Sequence, residues 1–354
     1  MKTNANQTQN GSKLKNFQPK TGKHCESSAM LNMLCHQGYD LTETKIIGAG
    51  SAMGFWFQDG NFPFLGGRTH RLKENFFSLL GIPWQEEIPE GTNKAGCWKK
   101  IGELLTENHP VVLQVDMRYL PYLYNGKYGP PYMSFGWHLI CIAGIDHNSE
   151  NTWVTDTGRG LQEIRMKDLH RARFSKSKIF PPAGKFYWAD KIPPGFSTDW
   201  NKTAEKSLTI QKEEMTAEDE DSRDNSGLTG LSKLPEKIEE LGVRTPAHLL
   251  PSLLDYLSDS IETNGTGGSA FRTMYRQFLT ETSEQTGSSY LREAAAMLAP
   301  AETAWTSLAA QFKAMGQNKQ VLRNKEARKR SFRDLADTGA EIFKHEKNFY
   351  DYIK

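Results

Sequence analysis

Between Gly136-Trp137 and Asp146 the chain reads His138-Leu139-Ile140-Cys141-Ile142-Ala143-Gly144-Ile145. A run this apolar, yet far short of the roughly 20 residues a membrane helix needs, reads as a strand buried on both faces. Val111-Val112-Leu113-Gln114-Val115, after Pro110, reads as a second buried strand. Thr152-Trp153-Val154-Thr155-Asp156 reads as the hairpin partner of 138–145, across the polar turn His147-Asn148-Ser149-Glu150-Asn151. Lys185–Ala189 reads as a further strand. Helical periods accompany these strands. Ala29, Met30, Met33 and Leu34 lie on one face before Gly38, a C-terminal stop. Residues 69–80 carry Leu72, Phe76, Leu79 and Leu80 before Gly81, and residues 94–107 carry Trp98, Ile101, Leu104 and Leu105.

The pattern then changes. Glu213 to Asp221 is acidic and poor in apolar groups, which suggests a solvated linker or an acidic partner-binding segment. From about residue 228 nearly everything is helical in period. Pro246 opens a helix with Leu249, Leu250, Leu253, Leu254 and Leu257; Phe271, Met274, Tyr275, Phe278 and Leu279 mark another; Leu291, Leu298, Trp305, Leu308 and Phe312 mark later ones. The basic run Lys325–Arg333 reads as a solvated helix face rather than an RNA site. The expected organisation is a flexible tail over 1–20, an α+β catalytic domain over 21–195, an acidic linker over 196–227 and an all-α domain over 228–354. A net charge of +2, from 44 basic and 42 acidic residues, gives no reason to expect a nucleic-acid or membrane partner. The polar residues 1–20 do not resemble a secretory signal. The four scattered cysteines form no disulfide framework, so free thiols in a cytoplasmic protein are expected.

One of those thiols is placed for chemistry. Gly22-Lys23-His24 leads into Cys25, and the helical period begins just after it. In the first turn of a helix the unsatisfied N–H groups and the macrodipole favour an anion, so the thiol pKa should fall. The same N–H groups can receive the oxyanion of a tetrahedral intermediate. Local sequence alone equally allows a small residue packed under the helix. A thiolate nucleophile also needs a base, and the base an orienting acceptor. His138 starts a buried strand. If 138–145 and 152–156 form a hairpin about residues 147–149, Asp156 falls within one or two positions of facing it, with strands about 5 Å apart. Asp146 fails this test, lying eight residues from His138, roughly 26 Å along the strand. Cys25, His138 and Asp156 are therefore the candidate catalytic residues.

Zinc is not expected. His24-Cys25 and Cys35-His36 resemble ligand pairs, but they are separated by roughly 15 Å of helix, which one tetrahedral ion cannot bridge. Gly48 to Gly54 lacks the ending of a phosphate loop and reads as a turn allowing close backbone approach, as part of a cleft lining. Asn264 to Gly268 reads as a helix-to-helix linker. The aromatic segment from Tyr119 to Trp137, with Tyr122, Tyr124, Tyr128, Tyr132, Phe135 and Pro130-Pro131, leads straight to His138 and reads either as a cleft wall or as an ordinary structured loop.

Gly22-Lys23-His24-Cys25-Glu26, Trp137 to Asp146 and Val154-Thr155-Asp156 together resemble the butirosin-biosynthesis acyltransferase family. Gly265 to Glu281, with Gly267-Gly268, Phe271-Arg272, Tyr275 and Phe278-Leu279, is similar to that family's second domain. The His–strand–Asp half also resembles double-glycine leader peptidases. The resemblance implies a papain-like N-terminal domain and a helical C-terminal one. It further implies antibiotic-type secondary metabolism. An acyl group would pass from the phosphopantetheine of an acyl or peptidyl carrier protein, through a Cys25 acyl-enzyme, to a small amine. Neither a metal nor a tightly held cofactor is implied. A peptidase or amidohydrolase using the same three residues, or a non-catalytic scaffold, are the alternatives. Papain-like proteases carry a glutamine six residues before the cysteine; here that position is Pro19, with Gln18 adjacent, so the Cys25 N–H is the main oxyanion donor expected.

Overall fold

The computed structural model describes residues 11–58, 60, 63–89, 94–123, 134–178, 180–217 and 225–354. In chain order these begin with β1 (Gly11–Lys13), α1 (Cys25–His36), α2 (Glu43–Ala49), β2 (Met53–Gln58), β3 (Phe64–Arg68) and α3 (Leu72–Leu80). β4 (Trp84–Glu87), α4 (Lys94–Thr106), β5 (Val111–Val115) and two 3-10 turns, Met117–Tyr119 and Pro121–Leu123, follow. Next come β6 (His138–Asp146), β7 (Asn151–Asp156), β8 (Gly160–Arg165), α5 (Met166–Arg173) and β9 (Phe186–Ala189). The remaining elements are helices: α6 (Trp200–Thr216), α7 (Gly227–Ser232), α8 (Leu234–Arg244), α9 (Leu250–Glu262), a 3-10 turn at Ser269–Phe271, α10 (Arg272–Thr286), α11 (Ser289–Gln317), α12 (Lys319–Arg323) and α13 (Lys325–Tyr352). The fold is α+β, with the large sheet in the N-terminal part and a helical C-terminal part. No helix among the described residues is long and apolar enough to cross a membrane.

Two compact units share the chain. One comprises residues up to Glu43 and Ile82–Phe196; the other comprises Thr44–Gly81 and Ser197–Lys354. In the first, an antiparallel sheet runs β4-β9-β5-β6-β7-β8, with β1 also paired to β6. β5 is buried at all five positions and β6 at every position but Asp146, which is why both read as unbroken apolar runs. α1 lies against β5, β6 and β7, and α4 packs on β1, β5 and β6. Val115 pairs with His138 and Cys141 with Thr155. Between Ile142 and Gly144 the β6–β7 register shifts by one residue, a bulge at Ala143.

The expected tail over 1–20 is corrected from Gly11 onward. β1 pairs with β6 residues 144–146. The Leu14 amide donates to the Ala143 carbonyl at 2.9 Å, and Leu14 is buried. Lys20 exchanges hydrogen bonds with the Asn32 side chain, at 2.8 and 2.9 Å. Backbone and amide hydrogen bonds hold this segment, so a reading based on apolar content passed over it. Residues 1–10 lie outside the described residues.

The expected boundaries also differ from the structure in the second unit. Residues 44–81, read as part of a continuous 21–195 domain, belong to the unit that holds the C-terminal helices, and the predicted 69–80 helix (α3) goes with them. The supposed linker over 196–227 contains α6, seventeen residues long. Its inward stripe includes Thr203, Ser207 and Gln211 beside Trp200, Ala204, Leu208 and Met215. Ser207 and Gln211 are buried because each is paired. The Ser207 hydroxyl bonds the Gly48 carbonyl and the Tyr275 hydroxyl. The Gln211 amide bonds both the N–H and the C=O of Met53. A helix whose buried face is half polar gives a weak hydrophobic period. Residues 218–221 of the acidic stretch lie outside the described residues.

Close approach at the glycine-rich segment is confirmed, but in this unit's core. A Cβ on Gly48 would sit 2.0 Å from Cδ1 of Phe278. The helix predicted to open at Pro246 begins at Leu250, with Pro251 in its first turn. Leu291, Leu298, Trp305, Leu308 and Phe312 line the buried face of α11. Asn264–Gly268 connects α9 to the turn before α10, as expected of a linker.

An ion pair closes this core. Arg272 Nε and Glu346 Oε1 meet at 2.5 Å with both side chains fully buried. Arg272 Nη1 also donates to the carbonyls of Gly54, Gly67 and Ala270, and Trp305 Nε1 donates to the same Glu346 oxygen at 3.0 Å. Removing one partner strands the other charge. We therefore expect Glu346→Ala to cost about 3–5 kcal/mol, read from urea denaturation. The apolar pair Arg272→Met with Glu346→Leu should recover much of that loss; a double variant as unstable as the single one would contradict this account.

Candidate active site

Cys25 opens α1, with His24 as its N-cap residue in an extended backbone conformation. The Nδ1 of His24 accepts from the Ser27 amide at 3.3 Å, and its carbonyl accepts from the Ser28 amide at 2.9 Å. The loop in front is fastened by Glu43. Its carboxylate accepts the amides of Lys23 (3.0 and 2.8 Å) and His24 (2.9 Å) and the hydroxyl of Ser27 (2.8 Å). A Cβ at Gly22 would come within 2.7 Å of Glu43 Oε1, so this approach requires glycine. The Gly22 carbonyl accepts from the Gly158 amide at 3.1 Å, which ties the Cys25 loop to the turn just beyond Asp156.

His138 is fixed by its place on β6, opposite Val115. The lead-in to it is clamped as well. Gln114 Nε2 donates to the Gly136 carbonyl at 2.8 Å. The buried Asp116 accepts from the Phe135 amide, the Arg118 amide and the hydroxyls of Ser134 and Ser175. His138 Nε2 lies 2.8 Å from Asp156 Oδ1 and 3.0 Å from Oδ2. The register explains this contact. Continuing the Cys141–Thr155 pairing, Asp156 faces residue 140, so His138 and Asp156 are diagonal neighbours on one face of the sheet. The charges that act on the Cys25 thiol are those of His138 and His24.

Asp156 has two further donors: the Tyr122 hydroxyl at 3.0 Å and the Thr157 amide at 2.6 Å. Its side chain is 1% exposed and that of His138 is 8%. Burial pushes the Asp156 carboxyl up, but the charge and hydrogen bond of His138, with the other two donors, bring it below its ordinary value. Burial pushes His138 down; the charge and hydrogen bond of Asp156, then those of Cys25, outweigh it and raise the imidazole to about 10. Burial also pushes the Cys25 thiol up. The charge of His24, hydrogen bonds to His138 and His24, and the charge of His138 overcome that and hold it well below the ordinary thiol value. Cys35, Cys97 and Cys141 move the opposite way, each pushed up chiefly by burial.

The structure thus brings His138 and Asp156 into direct hydrogen-bond contact, with Cys25 electrostatically coupled to His138. Asp146 instead closes the β6–β7 turn, accepting from the Asn148 amide and from Ser149. Cys35 and His36 lie at the far end of α1 from His24 and Cys25. Gln18 and Pro19 are both exposed. Of the aromatic segment, Tyr124, Tyr128, Pro130, Pro131 and Tyr132 lie outside the described residues. Tyr122 reads from the sequence as part of a cleft wall or of an ordinary structured loop; its bond to Asp156, thirty-four positions away, has no periodic signal. Glu43 carries no signal of its own in the sequence, and His24 reads there as part of the loop into Cys25 and as half of a ligand pair.

Two family models match the chain. One, described as butirosin biosynthesis protein H, N-terminal, covers residues 24–157 and so contains Cys25, His138 and Asp156. The other, described as a domain of unknown function (DUF4872), covers residues 167–353, more than half of the sequence. A comparison with curated proteins gave no match. The chain therefore belongs to the butirosin biosynthesis protein H–like family, with a DUF4872 region as its C-terminal part.

Proposed function

We propose that this protein is a cysteine-dependent N-acyltransferase with a papain-like catalytic arrangement, acting in antibiotic-type biosynthesis. It would take an acyl group from a carrier-protein thioester and form an amide with a small amine. The observation that carries this reading is the Cys25–His138–Asp156 chain, with the thiol at a helix N-terminus and its pKa held down. The match to the N-terminal model of butirosin biosynthesis protein H supports a biosynthetic rather than a degradative role.

The mechanism follows from the charges. Below about pH 10, where His138 would lose its proton, and above the lowered pKa of Cys25, the resting pair is thiolate and imidazolium. The thiolate attacks the carrier thioester carbonyl, and the Cys25 N–H, at the start of α1, receives the oxyanion. Collapse breaks the bond to the pantetheine sulfur, which leaves with the proton from His138. The neutral imidazole then takes a proton from the attacking amine. The second collapse forms the amide and expels Cys25 as thiolate, restoring the starting pair. Asp156, held by Tyr122 and Thr157, keeps the ring oriented and stabilises its cation.

Cys25→Ala should abolish acyl loading and turnover while leaving far-UV circular dichroism unchanged; full activity in that variant would end the cysteine mechanism. His138→Ala should lower the rate by about 10²–10⁴ or more, and Asp156→Asn by less. Tyr122→Phe removes one charge-assisted donor, so we expect about a tenfold loss in kcat, with KM little changed.

Transfer and hydrolysis share the Cys25 thioester and part at the second acceptor. The acyl-enzyme, formed from acyl-loaded carrier protein and followed by intact mass, should decay slowly in buffer and quickly when a suitable amine is added. Rapid hydrolysis that no amine diverts would replace this reading with a peptidase or amidohydrolase.

A further inference from the structure

The first residue of a strand is where its ladder opens most readily, and His138 is that residue in β6. Pairing with β7 begins only at Cys141, so at His138 the backbone pairs with β5 alone, at that strand's last residue, Val115. One residue further on, a side chain takes over from the ladder. Asp116 is fully buried and caps the 3-10 turn Met117–Tyr119. Its Oδ1 accepts the amides of Arg118, at 3.0 Å, and Phe135, at 3.2 Å; its Oδ2 accepts the hydroxyls of Ser134 and Ser175. Its own amide donates to the Ala172 carbonyl, in α5, at 2.9 Å. One carboxylate therefore joins three segments: the end of β5, the lead-in to His138 and the chain that leaves α5.

The lead-in is gripped at each residue from Ser134 to Gly136. Besides the bonds to Asp116, the Met117 amide donates to the Phe135 carbonyl at 3.1 Å, and Gln114 Nε2 donates to the Gly136 carbonyl at 2.8 Å. On its other side Gly136 has no room to move, since a Cβ there would come within 2.1 Å of the Phe180 carbonyl. The tolerance at the far end is small. The ring of His138 lies 2.8 and 3.0 Å from the two oxygens of Asp156, and a slip of about 1 Å takes such contacts out of hydrogen-bond range.

We infer that Asp116 is a positioning residue for His138: by holding Ser134 and Phe135 it stops β6 from opening at its first residue and keeps the imidazole on Asp156. The inference rests on His138 being the base of the reaction proposed above. Asp116 takes no part in proton transfer; its action runs through the backbone of residues 134–137. The ionisable groups that act on His138 itself are Asp156 on β7 and Cys25 at the start of α1.

The two serines separate positioning from mere packing. Ser134→Ala and Ser175→Ala each remove one hydroxyl from the same Asp116 oxygen, the first from the lead-in and the second from the chain beyond α5. Full-length protein carrying isotope-labelled histidine would be titrated by NMR, with the His138 ring assigned by its loss in His138→Gln. The wild-type ring should stay protonated up to about pH 10. Both serine variants should melt lower than wild type by similar amounts. Only Ser134→Ala should lower the His138 midpoint, by about half a pH unit or more, a roughly threefold larger neutral fraction. Asp116→Asn, which keeps an acceptor for the two amides, should lower it by about one unit or more, a roughly tenfold change. Where Asp116→Asn fails to fold, the serine pair decides alone. A Ser134→Ala midpoint equal to that of wild type and Ser175→Ala, with melting lowered, would overturn the role of Asp116 and leave the His138 reading intact. A wild-type ring that titrates near 6.5, the ordinary value, would overturn both.

Discussion

β6 is hydrogen-bonded along both edges, to β5 and β1 on one side and to β7 on the other. A strand held this way cannot slide without breaking two ladders and turning its apolar side chains to the wrong face. His138 stands at the first position of that strand, and Asp156 at the last position of its neighbour. Both therefore inherit the rigidity of the sheet centre. Cys25 comes from the other kind of fixed point, the first turn of a helix packed on the same three central strands. The separation between the groups is set by backbone pairing and helix packing rather than by loops, as a reactive constellation requires.

Burying a carboxylate, an imidazole and a thiol together is costly unless each polar atom has a partner. Here the partners are assigned one by one: Asp156 to His138, Tyr122 and Thr157; the Cys25 loop to Glu43; the lead-in to His138 to Gln114 and Asp116. The second unit also pairs most of the buried polar atoms described above, although Arg272 Nη2 and Glu346 Oε2 have no hydrogen-bond partner. Its Arg272–Glu346 pair and the side chains of Ser207 and Gln211 satisfy backbone carbonyls and amides that close packing has cut off from water.

The apolar strands were legible in the sequence because burial on both faces leaves unbroken runs. Residues 111–115, 138–145 and 152–156 all lie in strands of the first unit, as does 185–189 apart from Lys185. The meeting of His138 with Asp156 was legible too, because hairpin pairing turns sequence distance into spatial contact. What escaped notice was held by polar atoms. β1 contributes backbone hydrogen bonds and little apolar area. α6 buries serine, threonine and glutamine. Tyr122 and Glu43 act through single oxygen atoms, whose partners depend on where distant segments cross. The assignment of residues 44–81 to the helical unit escaped for a different reason: a chain that leaves a domain and later returns gives no compositional sign of it, and the apolar residues of α3 read alike in either unit.

The bulge at Ala143 decides more than local twist. With four residues in the β6–β7 turn, Asn151 pairs with Asp146 and Trp153 with Gly144, a register that would put Asp156 on the sheet face opposite His138. The one unpaired residue shifts the ladder by one, and Asp156 returns to the face of His138. Turn length and bulge thus form a parity pair. A hairpin with a three- or five-residue turn reaches the same geometry with no bulge, and one with a four-residue turn needs it. That trade holds while the number of residues from His138 to Asp156 is unchanged; in a sequence alignment of this family, a single-residue gap between positions 142 and 151 keeps the geometry when only one of the two changes. When both change across such a gap, or one changes without a gap, the carboxylate moves to the far side of the sheet, even though the His and the Asp remain aligned.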